Sequence, residues 1–167
     1  MHGLGIRALV GVLACLLAFE AVAQDYPTRT ITLINPAAAG GSNEALKSII
    51  FDRVAAALGV PIVMESRSGA GGAIAAAYVA KAPADGYTLL LAGGSITATL
   101  PVTRKDLPYD PLRDFTPIVT LIGTAPLLVV PKSTPAATAK EFVELARAQQ
   151  GKLDYGSYGR GTTNYFA

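Results

Sequence analysis

Apolar and polar positions along this chain alternate between a period of two and a period near 3.6. Residues 30–35 form a short β-rich run ended by Pro36, and a small-residue loop over 37–41 leads into Ser42. From there Leu46, Ile49, Ile50, Val54, Ala57 and Leu58 recur at helical spacing, and the pattern closes at Gly59. That spacing predicts a helix over 42–58. Residues 61–65 read as a second strand, 66–72 as a loop, and 73–82 as an Ala-rich helix whose small face suits close packing on a sheet. Pro83, Ala84, Asp85 and Gly86 make a turn, and 87–92 is a third, mainly apolar strand of the kind buried in parallel sheets.

The middle of the chain is looser. Residues 93–101 read as a polar loop or the start of a short helix, and 107–114 as a Pro-punctuated connection. Two further strands are predicted over 116–122 and 127–130. Thr138 and Glu141 then form a capping box, which opens a helix through Phe142, Leu145 and Ala146 that ends at Gly151. A last strand over 153–156 leads to a Gly-rich loop reaching Thr162. Strand and helix alternate throughout, so the class is α/β with a mainly parallel sheet.

The first residues follow a different logic. Arg7 is a short basic region, residues 8–19 are apolar and uncharged, Glu20 breaks the run, and Ala21 and Ala23 are small. This is the pattern of a secretory signal peptide over 1–23, with cleavage between Ala23 and Gln24. The apolar run falls short of the about 20 residues that span a bilayer. Cleavage would remove His2 and Cys15, the chain's 1 His and 1 Cys. The mature segment then has no imidazole and no thiol for a Ser-His-Asp or Cys-His site, a His/Cys zinc site or a disulfide. A net charge of +2 with no basic cluster gives no argument for nucleic acid.

Three strand-to-helix junctions carry the candidate chemistry. They are Gly40, Gly41 and Ser42; then Gly69, Ala70, Gly71 and Gly72; and then Gly159, Arg160, Gly161, Thr162 and Thr163. Each sets Gly-rich backbone where the first helical N–H groups are unpaired and the dipole end is positive, an arrangement that binds anions. Glycine before a helix also serves plain turn geometry, and the second junction is the one expected to be structural. Arg67 and Arg160 could each pair with a ligand carboxylate. Asp106, Asp110 and Asp114 fit turns and caps better than a metal cluster. Ile74 stands where a dinucleotide fingerprint needs its third glycine, and Tyr155 stands where a nucleophile elbow before Ser157 needs a glycine.

Five blocks of sequence carry a resemblance: PAAAGGSNE at 36–44, LGVPIVMESRSGAGG at 58–72, VAKAPADGYTLL at 79–90, LPYDPLRDFTP at 107–117 and GKLDYGSYGRGT at 151–162. In this order they resemble the Bug, or tripartite tricarboxylate transporter receptor, family of periplasmic solute-binding proteins. The resemblance implies a two-lobed, type II periplasmic-binding-protein-like α/β fold with mainly parallel sheets. It also implies a monomeric periplasmic receptor that captures a small carboxylate, does no chemistry, needs no cofactor and hands its ligand to a membrane permease. A signalling partner in place of the permease is the alternative. The loop with Ala39, Gly40, Gly41 and Ser42 would hold one carboxylate, and Gly94 and Ser95 would line the cleft. Ser157, Gly161 and Thr162 would belong to the second lobe. This chain has Glu44 where the family usually has Asp, Lys47 and Ser48 for an Ala-Arg pair, and Tyr165 for His. Family members are about twice as long, so 24–122 is expected to form a first lobe lacking its return segment and 123–167 the start of a second. A fragment or a truncated, inactive chain is expected on that ground.

Overall fold

The computed structural model describes residues 25–165 apart from Thr124, Pro126, Tyr158, Thr163 and Asn164. The predicted leader, its cleavage position at Ala23 and Gln24, and Thr163 of the third junction lie outside the described residues.

The first strand, β1 (Ile31–Asn35), is the centre of a three-stranded sheet with β2 (Ile62–Ser66) on one side and β3 (Thr88–Leu90) on the other. Both pairings are parallel, with Ile34 opposite Glu65 and Leu90. Parallel neighbours require crossovers, and right-handed crossovers running first one way and then back across β1 put their helices on opposite faces. The first crossover is α1 (42–58) and the second is α2 (Ala73–Ala80), entered through a 3₁₀ turn at Ala70–Gly72.

Strand alternation sorts the core accordingly. Ile31 and Leu33 of β1 pack with Ile62 of β2, Leu89 of β3 and Phe51 of α1. On the other face Leu90 meets Ala73 and Ala76 of α2. Ala75 and Ala76 are fully buried, because only methyl groups intervene between α2 and the sheet. Burying each large aliphatic side chain of β1 contributes about 1.5–3 kcal/mol before conformational entropy is subtracted.

Within α1 the residues Lys47–Phe51 widen into a π-helical turn. There the Ser48 hydroxyl donates to the carbonyls of Glu44 and Ala45, both at 3.2 Å, and so competes with the backbone ladder. Gly59 ends α1 in the left-handed conformation, with its N–H bonded to the Ala55 carbonyl at 2.9 Å.

Residues 93–101, read above as a polar loop or helix start, lie largely within a helix, α3 (95–103), made of a π-helical turn at Ser95–Thr99 and an α-turn at Leu100–Thr103. Pro101 has no N–H to offer the Thr97 carbonyl, which accounts for the irregular ladder. Ile96 and Leu100, one turn apart, are buried with Tyr109 against α2. The capping-box helix is α4 (Ala139–Ala148); Thr138 Oγ accepts from the Glu141 N–H at 3.2 Å, and Glu141 reaches back to the Ala137 N–H at 2.6 Å.

The predicted strands at 116–122, 127–130 and 153–156 are not strands in the structure. Strand composition alone does not make a ladder, and no described backbone pairs with these segments. Ile118, Val119, Leu127 and Val129 are accordingly exposed, although Leu121 reaches the core face of Ile31 and Leu33.

Candidate functional site

The strand order β2-β1-β3 reverses at β1, so the loops leaving β1 and β3 part to opposite sides of the sheet. In open α/β sheets the crevice at such a switch point, beyond the carboxyl ends of the strands, is where ligands bind. The loop leaving β1 carries Ala39, Gly40, Gly41 and Ser42, and the loop leaving β3 carries Gly94 and Ser95. Topology therefore brings both predicted first-lobe loops to the same edge.

Residues 37–42 are exposed. Gly40 has φ +83°, a conformation that costs an L-residue roughly 1–2 kcal/mol and glycine nothing comparable. Gly41 is the N-cap of α1 and has no side chain with which to cap it. The Glu44 N–H is already bonded back to the Gly41 carbonyl at 3.0 Å, which leaves the amides of Ser42 and Asn43 to carry the positive end of α1. Across the switch point, Gly94 precedes α3, and the Gly93 carbonyl accepts from the N–H groups of Ile96 and Thr97 and from the Thr97 hydroxyl.

Beneath these loops sits a residue that the motif reading did not select. Asn35, the last residue of β1, is 0 % exposed. Its Oδ1 accepts from the Ala37 N–H at 3.0 Å and from Asn43 Nδ2 at 2.6 Å, and its Nδ2 donates to Ser66 Oγ at 3.1 Å. One amide thus joins the first loop, the first turn of α1 and the end of β2. The available signal was an Asn, poorly suited to strands, closing an otherwise apolar and β-branched run.

The second junction is structural. Gly72 has φ +98°, and a Cβ there would stand 2.9 Å from Ile96 and 3.3 Å from Pro36; a Cβ on Gly71 would stand 3.3 Å from the Arg160 carbonyl. This turn therefore touches the start of the first loop, α3 and the third junction together. The third junction reaches α3 directly, since a Cβ on Gly161 would meet Leu100 at 2.7 Å. Thr162 is buried and its hydroxyl donates to the Gly159 carbonyl at 2.8 Å, while Ser157 Oγ accepts from the Gly159 N–H at 3.3 Å. Ser157 and Thr162 thus brace their own loop.

Arg67 is committed within the fold. Its guanidinium lies 3.6 Å from the Tyr78 ring centroid and pairs with Glu65 at 2.6 Å. Arg160 lines a recess of about 410 Å³ with Thr103, Arg104, Gly161 and Tyr165. The three aspartates serve turns and ion pairs. Arg104 holds the Asp106 carboxyl below the usual carboxylate range; the Leu112 N–H and the Arg113 guanidinium do the same for Asp110. Asp114 accepts from the Asp110 N–H at 2.7 Å. Among the described residues no three His, Cys, Asp or Glu side chains converge as a metal site. Also among them, no helix is long and apolar enough to cross a membrane.

Residues 48–167 match the family described as "TctC: Tripartite tricarboxylate transporter family receptor". Among solved structures, "R. palustris Rpa4515 with adipate" is 39% identical with a TM-score of 0.77, over 83% of this chain and 46% of that one. "MatC (Rpa3494) from Rhodopseudomonas palustris with bound malate" is 33% identical with a TM-score of 0.77, over 84% of this chain and 48% of that one. A "Structure of a periplasmic transporter" is 42% identical with the same TM-score of 0.77, over 82% and 46%. A UPF0065 protein of Cupriavidus necator is 36% identical over 160 residues, which are 95% of this chain and 48% of its relative. The chain spans about half the length of the curated relatives it matches.

Proposed function

The chain belongs to the tripartite tricarboxylate transporter receptor family, and from that premise we propose that it captures a small organic carboxylate in the periplasm for a membrane permease of that transporter type. The observation that carries the reading is the shared fold with two structures described with adipate and with malate, each matched over more than four-fifths of this chain. Both ligands are dicarboxylates, and the uncapped start of α1 at the switch point suits one carboxylate group. In this reading Ala39, Gly40, Gly41 and Ser42 hold that carboxylate, and Gly94 and Ser95 line the opposite wall. The loop that carries Ser157, Gly161 and Thr162, braced by the first and last of them, is the contribution to the ligand site from a second lobe that begins near residue 123, after a first lobe over 24–122. Residues 1–23 act as the export signal, cleaved between Ala23 and Gln24.

Calorimetric titration of the chain with malate, adipate and their uncharged diamides tests this function. Saturable heats with at least one dicarboxylate, and none with its diamide, are the expected result. Equal heats for acid and diamide would remove the anion from the account, and no heat with any of them would remove the function.

A further inference from the structure

Burying a carboxamide costs free energy unless its donors and acceptors are matched, and Asn35 is buried completely. Its hydrogen bonds all lead to segments around the first loop: Ala37 in it, Asn43 just after it, and Ser66 at the end of the neighbouring strand. The backbone adds a fourth tie, from the Arg67 N–H to the Asn35 carbonyl at 2.8 Å. An apolar residue would fill the same strand position but hold none of the loop.

We propose that Asn35 is a positioning residue for the carboxylate site, an uncharged peg that fixes the loop over 37–43 from below; this rests on the reading of the preceding subsection. Its neutrality is part of the role. A carboxylate at position 35 could keep all three partners, still accepting from Ala37 and Asn43 and, with the Ser66 bond reversed, accepting from the Ser66 hydroxyl in place of donating to it. It would, however, place a negative charge directly beneath the loop that holds the anion.

Two variants separate the peg from a merely structural residue. Asn35→Asp keeps the acceptor of Ala37 and Asn43 and adds the charge. With an effective dielectric of about 20 and a separation of about 6–10 Å, dicarboxylate affinity should fall roughly 15- to 100-fold. Amide exchange at Ala37, followed by NMR, should stay near the wild-type rate in that variant. Asn43→Ala leaves Asn35 in place, cuts its 2.6 Å bond and should weaken dicarboxylate binding about 2- to 10-fold, with faster exchange in the loop; it carries the test alone if N35D does not fold. Malate and adipate are the probes, with wild type titrated alongside. Wild-type affinity in N35D with the Ala37 amide still protected would overturn the inference and leave the carboxylate function standing. Unchanged affinity and exchange in N43A would overturn it too. A wild-type chain that binds neither acid would overturn both.

Discussion

Adding one methyl group at Gly72 should destabilise the fold through two separable effects. The first is backbone conformation: φ is +98°, on the left-handed side that costs an L-residue roughly 1–2 kcal/mol. The second is contact, since the new Cβ would lie 2.9 Å from both Cγ1 and Cδ1 of Ile96 and 3.3 Å from Cβ of Pro36. Ile96 is 2 % exposed and hemmed in by Ala73, Ala76, Leu100 and Tyr109, so it cannot yield without disturbing them. Overpacking of this kind costs about 1–3 kcal/mol, and the stiffer unfolded chain returns about 0.4–1 kcal/mol. Gly72→Ala should therefore lose about 1–4.5 kcal/mol by these terms. Urea unfolding followed by circular dichroism reads the loss. Ile96→Val, which removes the crowding Cδ1, should make the same glycine substitution about 1 kcal/mol cheaper in a double-mutant cycle. A loss under about 1 kcal/mol, or an equal loss in both backgrounds, would refute the claim that this turn is sterically closed.

Other consequences are more local. Thr138→Ala removes the cap of α4 and should cost that helix about 1 kcal/mol, seen as faster amide exchange over 139–148 with little change in global melting. Tyr109→Phe deletes the hydrogen bond from the buried phenol to the Ile96 carbonyl at 3.0 Å and should lower stability by about 1 kcal/mol in urea unfolding. The Asp106 carboxyl is held below its ordinary value chiefly by Arg104. Its contribution is present above the unfolded-state value and fades as pH falls through the lowered folded value. NMR titration should place the Asp106 midpoint below that of an unpaired Asp, and Arg104→Ala should raise it, leaving only the lowering by the backbone hydrogen bond of Asp106 itself.

Local pattern made much of this fold readable. β1, α1 and β2 follow from a β-rich run, a 3.6-residue apolar spacing closed by Gly59 and a second apolar run. The Ala-rich face of α2 announced its close approach to the sheet. Helix α3 was harder, because Ser95, Thr97, Thr99 and Pro101 look like loop residues; the four-residue spacing of Ile96 and Leu100 was the legible trace of its buried face. The failure over 116–122, 127–130 and 153–156 has a different origin. β-propensity marks residues that tolerate a sheet, whereas a strand also needs a neighbouring backbone. At the candidate site, glycines and hydroxyls marked the loops as candidates, but their mutual packing through Gly71 and Gly72 is a long-range fact. Asn35 lay hidden at the end of an apolar run, and only the structure reveals its three side-chain bonds.

The central claim is that the bare amides at the start of α1 hold the ligand's carboxylate, and Gly41→Asp tests it most directly. Gly41 has φ −88° and ψ −171°, an extended conformation open to any residue, and the nearest neighbour of a new Cβ, the Ala38 carbonyl oxygen, is 3.7 Å away. Aspartate there is a favourable N-cap that would occupy the same amides with its own carboxylate. Thermal melting and calorimetric titration with malate and adipate should be measured on wild type and G41D together. The expected result is a melting temperature held or raised while dicarboxylate binding disappears. Binding undiminished in a stably folded G41D would contradict it.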